Sequence, residues 1–171
     1  MGKDILKYFG LFVILILLQL LLFNNIQLSG FINPYIYVLF ILVLPYETPG
    51  WLLLLLGFLS GFVLDTFMNT FGMHSSATLF MAFMRPIVLN MLTDREDIDK
   101  KGSPSMVING LGWFLRYSII LILLHHFVLF FIESFTFFNF FSTLWRIILS
   151  TIVTSAFIVL SQFLTPQRSL N

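Results

Sequence analysis

Long apolar runs fill most of the chain, separated by short breaks at 26–30, 47–50, 70–73 and 134–137 and by one longer charged stretch, 93–111. The runs lie near 7–25, 31–46, 51–69, 74–92, 112–133 and 138–164. A bilayer's hydrocarbon core, ~30 Å thick, needs about 20 helical residues, so the pattern predicts six transmembrane helices. The second run is the shortest. Pro34 suits a first helical turn and Pro45 ends it, leaving ~24 Å of helix at the usual rise, which fits a short span or one leg of a re-entrant hairpin.

Composition supports the membrane reading. Of the 171 residues 58% are hydrophobic and 10% charged, and the mean hydropathy is +0.97, beyond the range of a soluble globular domain. The expected fold class is an all-α membrane protein, a single integral membrane domain over 1–171. A net charge of +1 offers no basic surface for nucleic acid. Cysteine is absent, which excludes disulfides, thiolate nucleophiles and cysteine metal sites. The apolar run from Tyr8 to Phe23 exceeds a usual signal-peptide core, and Asn24–Asn25–Ile26 is no small-residue cleavage site, so it reads as a retained first span. Leu6 replaces the Ser or Thr of an N-myristoylation motif.

Lys and Arg set the expected orientation, because positively charged loops resist translocation. Lys3 and Lys7 precede the first span, Arg95, Lys100 and Lys101 follow the fourth, and Arg168 follows the sixth, while the opposite loops contain neither residue type. Both termini and the loop 93–111 are therefore expected in the cytoplasm. Tyr46, Trp51, Trp113 and Tyr117 fit an inner aromatic belt, and Tyr35, Tyr37 and Trp145 an outer one. The segment 93–105, with charges of alternating sign, reads as a solvated loop or as a docking segment for a cytoplasmic partner.

Polar residues within the spans mark where helices meet. Gly57, Gly61 and Asp65 recur every four residues, with Ser60 beside them, so the third span carries a small-residue stripe that faces protein. A carboxylate facing lipid would cost at least ~2.5 kcal/mol. Arg146 of the sixth span lies at a matching depth and is the expected partner of Asp65; Arg85, followed by the helix-kinking Pro86, is the rival. Arg146, Ser150, Thr154 and Ser161 form a polar row, either a packing seam or hydroxyls bonded to their own helix. His125, His126 and Glu133 share the fifth span, where they suit interhelical hydrogen bonds or a proton or ligand path. A metal site is disfavoured, since adjacent histidines point about 100° apart and His74 lies on another span. No nucleotide-binding, HExxH or Gly-x-Ser-x-Gly pattern occurs, so catalytic, cofactor and metal residues are all expected to be none.

GFLSGFVLDTFMNTFGMHSSATLFMAFMRP, residues 57–86, resembles the centre of the rod shape-determining MreD family, and GWFLRY and LLHHFVLFFIE, residues 112–117 and 123–133, look like its Bacteroidetes-type form. The matching positions are Gly57, Gly61, Asp65 and Gly72, and the length and six-span hydropathy agree. The resemblance implies a fold similar to the S component of energy-coupling-factor transporters. It implies a non-enzymatic scaffold in the bacterial inner membrane that serves cell elongation and lateral peptidoglycan synthesis. The implied partners are the bitopic protein MreC, then MreB, RodA and a class B penicillin-binding transpeptidase, besides the lipid bilayer and a possible second copy of the chain. The charged loop 93–105 departs from the family pattern.

Two functions compete. A scaffold would hold partner helices laterally, with the Gly57–Gly61 stripe as its support. A substrate-binding subunit of a vitamin-type transporter is the alternative, but such subunits dock through an Ala-xxx-Ala face on the first span, which here reads LFVILILLQLLLF. Gln19, alone in that span, can bond a partner helix or its own bundle.

Overall fold

The computed structural model describes residues 2–26, 32–92, 102–134 and 140–164. These are helical: α1 is Gly2–Leu21, α2 Leu39–Leu42, α3 Gly50–Met68, α4 Met73–Leu92, α5 Met106–Asn109, α6 Leu111–Ser134 and α7 Phe140–Leu164. Turns of 3-10 helix occur at Phe23–Asn25 and Ile36–Val38. Among the described residues five helices are long and apolar enough to cross a membrane, namely α1, α3, α4, α6 and α7. The chain is a multi-pass membrane protein. The loop charges Arg95, Lys100, Lys101 and Arg168 lie outside the described residues, as does the side chain of Lys3.

The expected second span is the correction. Within 31–46 regular helix extends only from Ile36 to Leu42, far too short to cross on its own. Yet the chain from Pro34 to Leu42 is buried. Irregular backbone is tolerated at membrane depth only inside protein, because its polar groups need partners that lipid cannot supply. Here side chains supply them. Pro34 O accepts from Gln19 Nε2 at 3.1 Å, Tyr35 N–H donates to Thr154 Oγ1 at 3.1 Å, and Leu42 O accepts from the Tyr117 hydroxyl at 3.0 Å. Tyr37 meets His125 midway along α6, whereas the Tyr46 hydroxyl donates to Asn109, just before α6 begins. The segment therefore descends ~20 Å through the bundle by helical rise.

The long helices pack around this thread, α3 on α4, α4 on α6 and α6 on α7. Val38, Ile41, Leu121, Ile122 and Met81 form part of the fully buried centre. Helix α1 lies outermost: Leu15, Ile16 and Gln19 turn inward, while Phe9, Ile14, Leu17 and Leu21 are exposed.

The glycine stripe is buried, as its spacing predicts, and its neighbour is α4 of the same chain. A Cβ on Gly57 would stand 2.7 Å from that of Ala82, and one on Gly61 would overlap the backbone of His74 and Ser75. Ser60, also buried, donates to its own helix at Leu56 O. The close approach that glycine permits is thus consumed inside the bundle, and the stripe offers no groove to a partner.

The aromatic belts need revision too. Trp51 and Trp145 are exposed as expected, but Tyr35, Tyr37 and Tyr117 are core residues. Each tyrosine finds polar partners or imidazole rings inside, which an interfacial position would not provide.

Candidate functional site: the polar core of the bundle

Helix α3 ends at Asn69, in the left-handed conformation with φ 58°, and α4 begins four residues later. The first N–H groups of α4 have no partner within their own helix. Asp65 supplies one from the last turn of α3. Its Oδ1 accepts from His74 N–H at 3.0 Å, His74 Nδ1 at 3.1 Å and the Thr70 hydroxyl at 2.7 Å. Its Oδ2 accepts from Ser75 N–H at 2.9 Å and the Ser75 hydroxyl at 2.5 Å. The carboxylate caps the following helix and sits at the positive end of its dipole.

The expected Asp65–Arg146 pair does not form. Both carboxylate oxygens are saturated, and Arg146 pairs with Glu133 at 3.0 Å, its guanidinium 4.3 Å above the Phe130 ring. The amide of Asn33, set with its oxygen toward Arg146, accepts from it at 3.2 Å. Matching depths were a poor guide here, because backbone N–H groups can neutralise a carboxylate as well as a cation can.

Nor does Arg85 pair with Asp65. Its side chain is buried, Nε donates to the Tyr117 hydroxyl at 2.9 Å, and Nη2 donates to Leu44 O. Tyr117 in turn donates to Leu42 O. Together they satisfy carbonyls at the C-terminal end of α2, where the helix dipole favours a cation. Arg85 is a structural cap for the threaded segment.

Higher in the bundle, three imidazoles from two helices gather around the threaded segment. The Tyr35 ring stands 5.5 Å from His74, 6.0 Å from His125 and 5.5 Å from His126, centroid to centroid. The Tyr37 hydroxyl is 2.7 Å from both Thr78 Oγ1 and His125 Nε2. His126 Nδ1 and Thr151 Oγ1 lie 3.1 Å apart, joining α6 to α7. Glu133, seven residues beyond His126 on the same helix, pairs with Arg146. Among the described residues no three His, Asp or Glu side chains are placed to hold a metal ion.

Donor counting assigns two tautomers. A threonine hydroxyl carries one hydrogen. Thr78 gives its hydrogen to His74 O, so Tyr37 must donate to Thr78, and His125 Nε2–H must donate to Tyr37. Thr70 gives its hydrogen to Asp65, so His74 carries its proton on Nδ1. His74 Nε2, His125 Nδ1 and His126 Nε2 are buried and have no hydrogen-bond partner, as are the hydroxyls of Ser150 and Ser155. Each unmet buried group costs about 1–3 kcal/mol.

Of the polar row on α7, Thr154 bonds the threaded segment and Ser161 donates to Ile158 O, so both expected roles occur on one helix. Gln19 is engaged inside its own bundle, donating also to Asn24 Oδ1. Tyr35, Tyr37, Thr78 and Thr151 are the core residues that hydropathy alone misses. The signal for the two tyrosines is a run, 34–46, too short for its span and holding three tyrosines, Tyr35, Tyr37 and Tyr46. No protein-family model matches the sequence, and no curated protein or solved structure matches the chain.

Proposed function

We propose that this chain is a non-enzymatic scaffold subunit of the bacterial cell-elongation machinery, holding a partner's transmembrane helix in the inner membrane. The resemblance of residues 57–86 to the MreD family supplies the biological setting, with single-pass MreC as first partner and MreB, RodA and a class B transpeptidase in the larger assembly. In this reading the threaded segment 34–46 serves as the second of six crossings, so both termini are cytoplasmic, and the bundle is of the S-component type.

The observation that carries the lateral-docking part is an open groove between α6 and α7, of about 510 Å³. Its walls include Ile119, Ile152 and Leu160, all exposed, and Ser155 and Ala156 form small-residue positions along it. Small residues let a second backbone approach closely in lipid. The charges of Asp65 and Arg85 are meanwhile engaged inside the bundle, and Arg146 pairs with Glu133 at its edge, which favours a rigid body over an acid–base site.

Single cysteines at Ile119, Ile152 and Leu160, with buried Leu121 as control, test this by crosslinking in native membranes. Capture of a single-pass cell-wall protein at the groove and not at Leu121 is expected. Absence of any protein neighbour at all three positions would overturn the docking reading. The transporter alternative is favoured only by the unmet imidazole nitrogens; saturable binding of a vitamin or cell-wall precursor by the purified chain would establish it.

A further inference from the structure

A second open groove, of about 530 Å³, runs between α3 and α4 and reaches the turn that joins them. It has two zones. Phe58, Phe62 and Leu79 form an apolar one, in which the two phenylalanine rings are exposed and stack 5.7 Å apart. Thr66, Asn69 and Ser76 form a polar one beside the turn, and the Asp65 carboxylate is the one charged side chain among the described residues that line the groove.

Hydrogen accounting fixes what the polar zone can take. Thr66 donates to Phe62 O and Ser76 to Gly72 O, both at 2.8 Å, so each hydroxyl spends its one hydrogen on its own helix and keeps only lone pairs. Ser75 spends its hydrogen on Asp65. The start of α4, an end that ordinarily attracts anions, is filled as well: Met73 N–H donates to Thr70 O, those of His74 and Ser75 to Asp65, and that of Ser76 to Gly72 O. An anionic group therefore meets one side-chain donor, the Asn69 amide, whereas a donor-rich group meets oxygens from both helices.

We infer that this groove seats a membrane lipid with a primary amine in its headgroup, the ammonium on Thr66 Oγ1 and Ser76 Oγ and an acyl chain against Phe58, Phe62 and Leu79. An ammonium has three donors and no acceptor, the complement of that wall. Depth agrees with it. Phe58 lies eight residues before Thr66, ~12 Å by helical rise, so the polar zone sits toward the membrane surface at the α3–α4 turn and the apolar zone toward the middle of the bilayer. A lipid has the same polarity along its length, and its phosphate falls at the mouth, where the exposed Asn69 amide can donate. The inference is independent of the scaffold reading, which uses α6 and α7.

Native mass spectrometry of the full chain tests it, with the protein released from micelles holding equal amounts of phosphatidylethanolamine, phosphatidylcholine and phosphatidylglycerol with matched acyl chains. Phosphatidylethanolamine should be retained several-fold over either of the others, because the choline head has no N–H and the glycerol head no positive charge. Thr66→Val with Ser76→Ala removes two acceptor oxygens whose hydrogens bond only their own helix, and should abolish the preference. Thr66→Ser, which keeps the oxygen, and Ile152→Ala, in the other groove, should leave it intact. In native membranes a photoreactive analogue in place of Phe62 should capture aminolipid. Equal retention of phosphatidylethanolamine and either other lipid, a preference that survives the double substitution, or capture of a protein instead of lipid at position 62 would each overturn the inference.

Discussion

Asp65 holds Ser75 twice, through the backbone N–H at 2.9 Å and the hydroxyl at 2.5 Å, so one carboxylate binds the last turn of α3 to the first turn of α4. The residue before α4 is Gly72 rather than a capping Ser, Thr, Asp or Asn, and the carboxylate cap arrives from the preceding helix.

Asp65→Ala should therefore destabilise the bundle by about 2–4 kcal/mol, since it removes a cap and leaves charge-assisted hydrogen bonds unmade. Asp65→Asn, which keeps one acceptor oxygen, should cost less. The exchange Asp65→Arg with Arg146→Asp should restore nothing. Unfolding in mixed detergent micelles measures all three, and recovery by the exchange would mean that the two residues pair after all.

Gly57 and Gly61 of α3 should differ in kind. Gly57→Ala meets the Ala82 methyl at 2.7 Å and, less closely, the Thr78 carbonyl oxygen at 3.1 Å, so Ala82→Gly on the facing helix should recover part of its cost, about 1–3 kcal/mol for overpacking. Gly61→Ala meets backbone at His74 and Ser75, and no single side-chain truncation should rescue it. Melting temperatures of the singles and the Gly57–Ala82 double would decide; equal rescue at both sites would contradict the packing described.

Arg85 and Tyr117 act together on the end of α2. A double-mutant cycle of Arg85→Met and Tyr117→Phe should show a coupling of about 1–3 kcal/mol, as expected for residues in one hydrogen-bond network. Arg85→Lys should fail to substitute, because a single ammonium does not reproduce the forked donors that reach both Tyr117 and Leu44. Strict additivity in the cycle would show that the two residues stabilise the thread separately.

The Glu133–Arg146 pair is the counter-case. Its side chains are 38% and 23% exposed, so Glu133→Gln should cost no more than about 1 kcal/mol. A loss several times larger in the same unfolding assay would place this pair in a drier setting than its exposure indicates.

How much was legible in advance depends on the range of the interaction. The runs 51–69, 74–92 and 112–133 became α3, α4 and α6 with only small shifts at their ends, because hydropathy and helical length are local properties. The stripe of Gly57 and Gly61 lies against α4, and its four-residue spacing is likewise a local property. Asp65 takes its partners from the start of α4 and not from Arg146: depth arithmetic compares charges and overlooks the free N–H groups there. The run 31–46 holds regular helix only over Ile36–Leu42, which hydropathy does not reveal, because an apolar stretch near a proline reads alike whether it forms a helix in lipid or an irregular thread inside protein.

By itself, then, the sequence determined that this chain lives in a membrane, where most of its long helices lie and which of their faces are too small or too polar for lipid. Tertiary structure alone decided that α4 consumes the glycine stripe, that Arg85 and Tyr117 cap a buried thread, and that His74 joins His125 and His126. The reason is physical: apolar transfer is summed residue by residue along the chain, whereas hydrogen-bond partners are chosen across helices, by a register that only packing sets.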